Sequence, residues 1–208
     1  MHDSRFQGTL DTSLDRRGAL ARIAGVALSL TGLTGFRPFR RPEATGIAAP
    51  KWDDRFELAV DLEIAPQEGR RYHRPYVAVW IEDATGRPVR TLSLWVNTSG
   101  RGPRYIRELR RWFSMARDQE GAGGPDLVST VSSATRLPGQ YSVTWNGRDD
   151  RGNVVDQGSY RVVIEASREH GSYQLMQQDL TLATKPLSAD LAGNEEIGRA
   201  RVEYRRRK

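Results

Sequence analysis

Between Phe56 and Ile64 apolar and polar residues alternate: Phe56, Leu58, Val60, Leu62 and Ile64 fall on one side, Glu57, Asp61 and Glu63 on the other. A period of two over nine residues marks a β-strand with one face in an apolar core and the other in water. Such a strand commits the chain to a sheet, and the sheet needs a second layer over its apolar side. Tyr76–Ile81 is apolar on both faces, as expected of a central strand. The turn Asp83-Ala84-Thr85-Gly86 then returns the chain into Val89–Val96 as a hairpin.

Four further segments read as extended: Tyr141–Trp145, Ser159–Ser167, Tyr173–Leu182 and Ile197–Tyr204. Within residues 104–117 the rhythm changes. Tyr105, Ile106, Leu109, Trp112, Phe113 and Ala116 recur at three and four with arginines opposite, which predicts one short amphipathic helix. Seven strands, mostly hairpin-linked and without βαβ alternation, predict an all-β, immunoglobulin-like antiparallel β-sandwich carrying that helix. The expected organisation is a signal segment and helix over 1–36, a Pro/Gly/Ala-containing linker over 37–53, the sandwich over 54–204 and a basic tail over 205–208.

The signal reading rests on Ser13-Leu14-Asp15-Arg16-Arg17-Gly18-Ala19-Leu20, which opens an apolar stretch from Ile23 to Phe36. A charged region followed by a weakly hydrophobic one is the layout of an export signal. Arg16, Arg17 and Leu20 resemble the twin-arginine pattern, whereas Asp15 and Ala19 depart from it. The apolar run of about 14 residues is shorter than the ~20 that span a bilayer. The chain is therefore expected to meet the export machinery and reach the periplasm, anchored to the membrane if the signal is retained.

Charge and cysteine content exclude several classes. The net +6 of the 208-residue chain divides into +3 over 1–49, −2 over 50–198 and +5 over 199–208. The body is thus not basic, which argues against nucleic acid as a partner. Its one internal concentration is 101–117, with six Arg against Glu108. That face reads as solvated or as attractive to an anion or an acidic partner. Cysteine is absent, which excludes disulfides, thiolate metal sites and iron–sulfur ligation.

The stretch Pro138–Gly152, with Trp145-Asn146-Gly147-Arg148-Asp149-Asp150-Arg151-Gly152 at its end, is followed by Gly158-Ser159-Tyr160. It resembles a hairpin of the immunoglobulin-like domain in flagellar hook-capping proteins. Trp145 would anchor a strand end, Gly147, Asp149 and Gly152 would turn the chain, and Tyr160 would pack the returning strand. Together with Arg74–Asp83 and Glu165–Gly171, the chain resembles the predicted periplasmic proteins of domain-of-unknown-function family 2271. That resemblance implies an exported accessory or binding module, not an enzyme, serving a membrane-associated redox, transport or iron-uptake system.

His73 precedes the Tyr76 strand beside Tyr72, and His170 follows the Ser159–Ser167 strand beside Arg168 and Glu169. If those strand ends adjoin, Tyr72, His73, Arg168, Glu169 and His170 form a ligand or partner surface. Two imidazoles with Glu169 or Tyr72 would then suit iron or haem, and a noncovalent flavin pocket belongs to the same alternative of a cofactor-handling redox accessory. The plainer readings are loop histidines, surface ion pairs and no cofactor. The Ser/Thr-rich Asp126–Leu137 stretch lacks the hydroxyl that covalent flavin attachment would need at Leu137. Asp149, Asp150 and Asn153 read as a self-capping turn in preference to a calcium loop.

Overall fold

The computed structural model describes residues 49–67 and 73–207. Arg16, Arg17, Leu20 and Tyr72, and with them the signal segment, lie outside the described residues. Among those described, no helix is long and apolar enough to cross a membrane.

The strands are β1 (Phe56–Ile64), β2 (Tyr76–Asp83), β3 (Pro88–Trp95), β4 (Ser132–Ser133), β5 (Gly139–Trp145), β6 (Gly158–Ser167), β7 (Tyr173–Leu182), β8 (Leu187–Ala192) and β9 (Ile197–Arg206). Three helical segments lie between β3 and β4: a 3-10 helix (Gly102–Glu108), α1 (Arg110–Gly121) and α2 (Leu127–Val131). One sheet has the order β5-β1-β9-β8 and the other β4-β3-β2-β6-β7. The pairings are antiparallel except for the short parallel β3–β4 contact.

The two sheets face one another across a single apolar core. β1 contributes Phe56, Leu58, Val60, Leu62 and Ile64, the side predicted from its alternation, against Val77, Val79, Ile81, Val162 and Ile164 of the other sheet. Trp145, Trp52 and Tyr204 close one end, with Trp52 4.8 Å from Trp145 and 5.3 Å from Tyr204 between ring centres. Gln174 of β7 ties the sheets together. Its side-chain oxygen accepts the Ile197 amide at 2.9 Å, and its nitrogen donates to the Ile197 carbonyl at 3.2 Å.

The expectation of an all-β, immunoglobulin-like sandwich is overturned, because the architecture is mixed α/β. A second core, formed by Tyr76, Ala78, Trp80, Leu94, Val96, Ile106, Leu109, Trp112, Ala116, Leu127 and Val163, joins the helical segments to the five-stranded sheet. β2 is apolar on both faces for this reason: Val77, Val79 and Ile81 enter the inter-sheet core, while Tyr76, Ala78 and Trp80 enter the helical one.

The single helix expected over 104–117 is also two. Ile106, Leu109 and Trp112 recur at three, the period of a 3-10 helix, whereas Trp112 to Ala116 is an α-helical step of four. The chain breaks between these regimes at Leu109, which leaves the helical region (φ −75°, ψ 72°) and is fully buried.

The segment expected to be a hairpin from Trp145 to Tyr160 instead joins the two sheets, since β5 pairs with β1 and β6 pairs with β2 and β7. Its local chemistry follows the turn reading. Asp149 Oδ1 accepts the amides of Arg151 and Asn153 at 2.9 and 2.8 Å. Gly147 (φ 73°) lies against Trp52, where a Cβ would come within 2.1 Å of the indole. Gly152 is likewise left-handed (φ 85°). Trp145 donates its indole N–H to the Arg148 carbonyl at 2.7 Å, and the Tyr160 hydroxyl donates to the Asp156 carbonyl at 2.6 Å.

Candidate functional site at one end of the five-stranded sheet

The register of β2 against β6 ends with Tyr76 opposite Ser167. That pair brings the residues just before β2 and just after β6 to the same end of the sheet. The β6–β7 turn is narrow: the Arg168 amide donates to the Ser172 carbonyl at 3.2 Å and Gly171 to the Arg168 carbonyl at 2.9 Å. His170 occupies the left-handed region (φ 55°) at its tip, a conformation costly for a residue bearing a Cβ.

Glu169 is the hub of this end. Its Oε2 lies 3.6 Å from His73 Nδ1 and its Oε1 3.9 Å from His170 Nε2. Tyr105 lies beside it: hydrogen-bonding interaction with the carboxylate, with burial and the carboxylate's charge adding to it, raises the phenol above its ordinary range. The Tyr105 ring meets the His170 imidazole edge-on at 6.0 Å. Tyr76 fixes the 3-10 helix here by donating to the Gly102 carbonyl at 3.0 Å. The His170 side chain remains 83% exposed and that of His73 49%, so both imidazoles are open to a partner.

Arg168 has a different task. Its guanidinium pairs with Glu196 at 2.9 Å, a carboxylate only 1% exposed that also accepts the Ser172 hydroxyl at 2.5 Å. It pins the β6–β7 turn to the β8–β9 turn, while Glu169 and His170 face the outer cluster. Tyr105 is not legible in the sequence as a member of this cluster, because its place on the half-buried flank of a 3-10 helix depends on the break at Leu109.

Among the described residues there is no group of three or more His, Cys, Asp or Glu able to hold a metal ion. The cluster brings His73, Glu169 and His170 together as an exposed polar surface, and its geometry offers no support for the iron, haem or flavin alternative. The Asp126–Leu137 stretch is a capped helical turn, with Asp126 Oδ1 accepting the Ser129 amide at 3.0 Å, that leads into β4.

A groove of about 660 Å³ runs over the outer face of the four-stranded sheet beside Asp61, Glu63, Asp190, Arg199 and Arg201. Its charges largely answer one another: Arg199 pairs with Glu63 at 2.6 Å and Arg201 with Asp190 at 2.8 Å. The sheet end is less neutralised. Arg101, Arg104, Arg107 and Arg74 are exposed and make no ion pair with the described residues.

No curated protein and no solved structure matches the chain. A family model does, over residues 57–199, a span that takes in the helical layer, Glu169 and His170. The chain therefore belongs to the family described as predicted periplasmic protein (DUF2271).

Proposed function

We propose that this periplasmic protein is a non-catalytic binding or accessory module serving a membrane-associated redox or transport system, iron uptake included. It meets its partner through the end of the five-stranded sheet. The observation that carries this reading is the Glu169 carboxylate held among Tyr105, His73 and His170 on an exposed surface. Groups of this kind supply directional hydrogen bonds and a titratable charge, and aromatic and imidazole faces add contact area with few rotamers to freeze. Arg101 and Arg104, next to the cluster in the fold, add long-range attraction for an acidic surface.

The test is a chromosomal replacement encoding Glu169→Ala with His170→Ala, compared with a deletion under iron limitation and in iron-replete medium. The reading expects the deletion to grow poorly only when iron is limiting, and the double variant to behave like the deletion at normal protein abundance. Full complementation by the double variant would remove the sheet end as the working surface. A deletion indifferent to iron would remove the proposed system.

A further inference from the structure

The 3-10 helix sorts its residues by threes. With three residues per turn, positions i and i+3 eclipse, which gives three straight ridges. Pro103, exposed, and Ile106 and Leu109, buried, lie on one ridge, Gly102, Tyr105 and Glu108 on the flanking one, and Arg101, at the N-cap, with Arg104 and Arg107 on the third, which is exposed throughout. A rise of about 2.0 Å per residue spaces successive arginines by about 6 Å along a line. None of the three makes an ion pair with the described residues. Arg107 is also preorganised: its Nε donates to the Arg104 carbonyl at 2.9 Å, which leaves its terminal nitrogens for a ligand.

We propose that Arg101, Arg104 and Arg107 form a linear charge ladder that docks an extended acidic peptide segment bearing Asp or Glu at alternate positions. The inference rests on the docking reading above and names the chemistry of the partner. Alternate residues of an extended chain are about 6.6–6.8 Å apart and project to the same side, so three carboxylates meet three guanidiniums with little accumulated mismatch. Arginine and carboxylate geometry favours paired, bidentate hydrogen bonds at each step. An α-helix matches less well, because its i, i+4 row turns by about 40° at each step and carries the third carboxylate off the line. A lipid surface is disfavoured by the lack of an apolar anchor. The large exposed hydrophobic residues among those described are Leu137, on the segment before β5, and Leu175, on β7; neither belongs to the 3-10 helix that carries the arginines. Membrane-lying elements normally combine basic residues with such a buried apolar face.

The experiment titrates the full chain with two fluorescent peptides of one composition, four Glu and four Thr, either alternating or in two blocks. The alternating peptide is expected to bind at least fivefold more tightly, and Arg101→Gln/Arg104→Gln/Arg107→Gln to weaken it at least tenfold and abolish the difference. Absence of binding, equal affinity for the two peptides, or unchanged binding by the triple variant would overturn the proposal. So would sedimentation with phosphatidylglycerol vesicles that depends on the three arginines while the peptides are not distinguished; that result would assign the ridge to lipid. Because Glu169 and His170 stay intact, a failure here is separable from a failure of the growth test.

Discussion

The backbone amide of Trp112 donates at 2.8 Å to the carboxylate of Glu165, a residue wholly buried in the middle layer of the protein. Glu165 also accepts the Arg111 amide at 3.0 Å. These amides belong to the first turn of α1, where no intrahelical acceptor exists, and the helix dipole favours a negative charge there. Arg111 then reaches the equally enclosed Glu82, whose two oxygens lie 2.8 and 2.7 Å from its Nη2, while the Trp80 indole donates to Glu82 at 2.9 Å. Two carboxylates on adjacent strands thus fasten one helix to the sheet. Glu165→Ala leaves buried donors without an acceptor and is expected to destabilise the fold by about 3 kcal/mol. Glu165→Gln, which keeps one oxygen, should cost less. Urea unfolding of the two variants checks the order.

Gly147 is required by both its backbone and its neighbour. Gly147→Ala should destabilise by about 2–3 kcal/mol, from the left-handed φ and the collision with Trp52 together. In a double-mutant cycle, Trp52→Ala should reduce the cost of Gly147→Ala, because removing the indole leaves only the backbone part.

Asp150 makes the protein less stable at neutral pH than it would otherwise be. Burial raises its pKa, against the opposing effects of the Thr91 amide and Arg90, and one carboxylate oxygen has no hydrogen-bond partner among the described residues. A carboxyl whose folded pKa lies above its unfolded value of about 3.8 binds more protons in the native state, so stability falls as pH rises through that interval. Asp150→Asn is expected to raise the unfolding midpoint at pH 7 and to change it little at pH 3. Denaturant titrations at the two pH values measure this.

Asp83 should show the opposite sign. Burial acts against its ionisation, but hydrogen bonds from Thr85 and Arg87 outweigh it and hold the carboxyl at about 2. Its stabilising contribution is therefore present above its unfolded value of 3.8 and lost as pH falls towards 2. Asp83→Asn should flatten that part of the stability profile. The effect is small because the turn is open to solvent.

Legibility from sequence followed the range of each interaction. The alternation of β1 gave its core face directly, because the period is local. The double-sided apolarity of β2 marks it as central, but not what covers its second face; that depends on helical segments that begin at Gly102, beyond the whole of β3. Glu82 and Glu165 carried a usable signal, since a charge within an apolar strand requires a buried partner. β8 escaped because Leu187, Ala189 and Leu191 alternate only weakly among polar neighbours. The sheet membership of β5 and β6 was invisible because turn chemistry does not report which strands pair. At the site, the positions of His73 and His170 at strand ends are legible in the sequence, and the β2–β6 register brings both to one end of the sheet, on either side of Glu169. Tyr105 and the arginine ridge required the change from three to 3.6 residues per turn to be located at Leu109.

The claim that the sheet end is the docking surface is tested most directly by photo-crosslinking in the periplasm. A photoreactive residue would be placed singly at positions 104 and 170 on that end and at 142 and 188 on the outer face of the four-stranded sheet, all of them exposed. Positions 104 and 170 are expected to capture one and the same membrane-associated protein, and 142 and 188 to capture it at least tenfold less. Equal capture from both faces, or capture confined to 142 and 188, would contradict the claim.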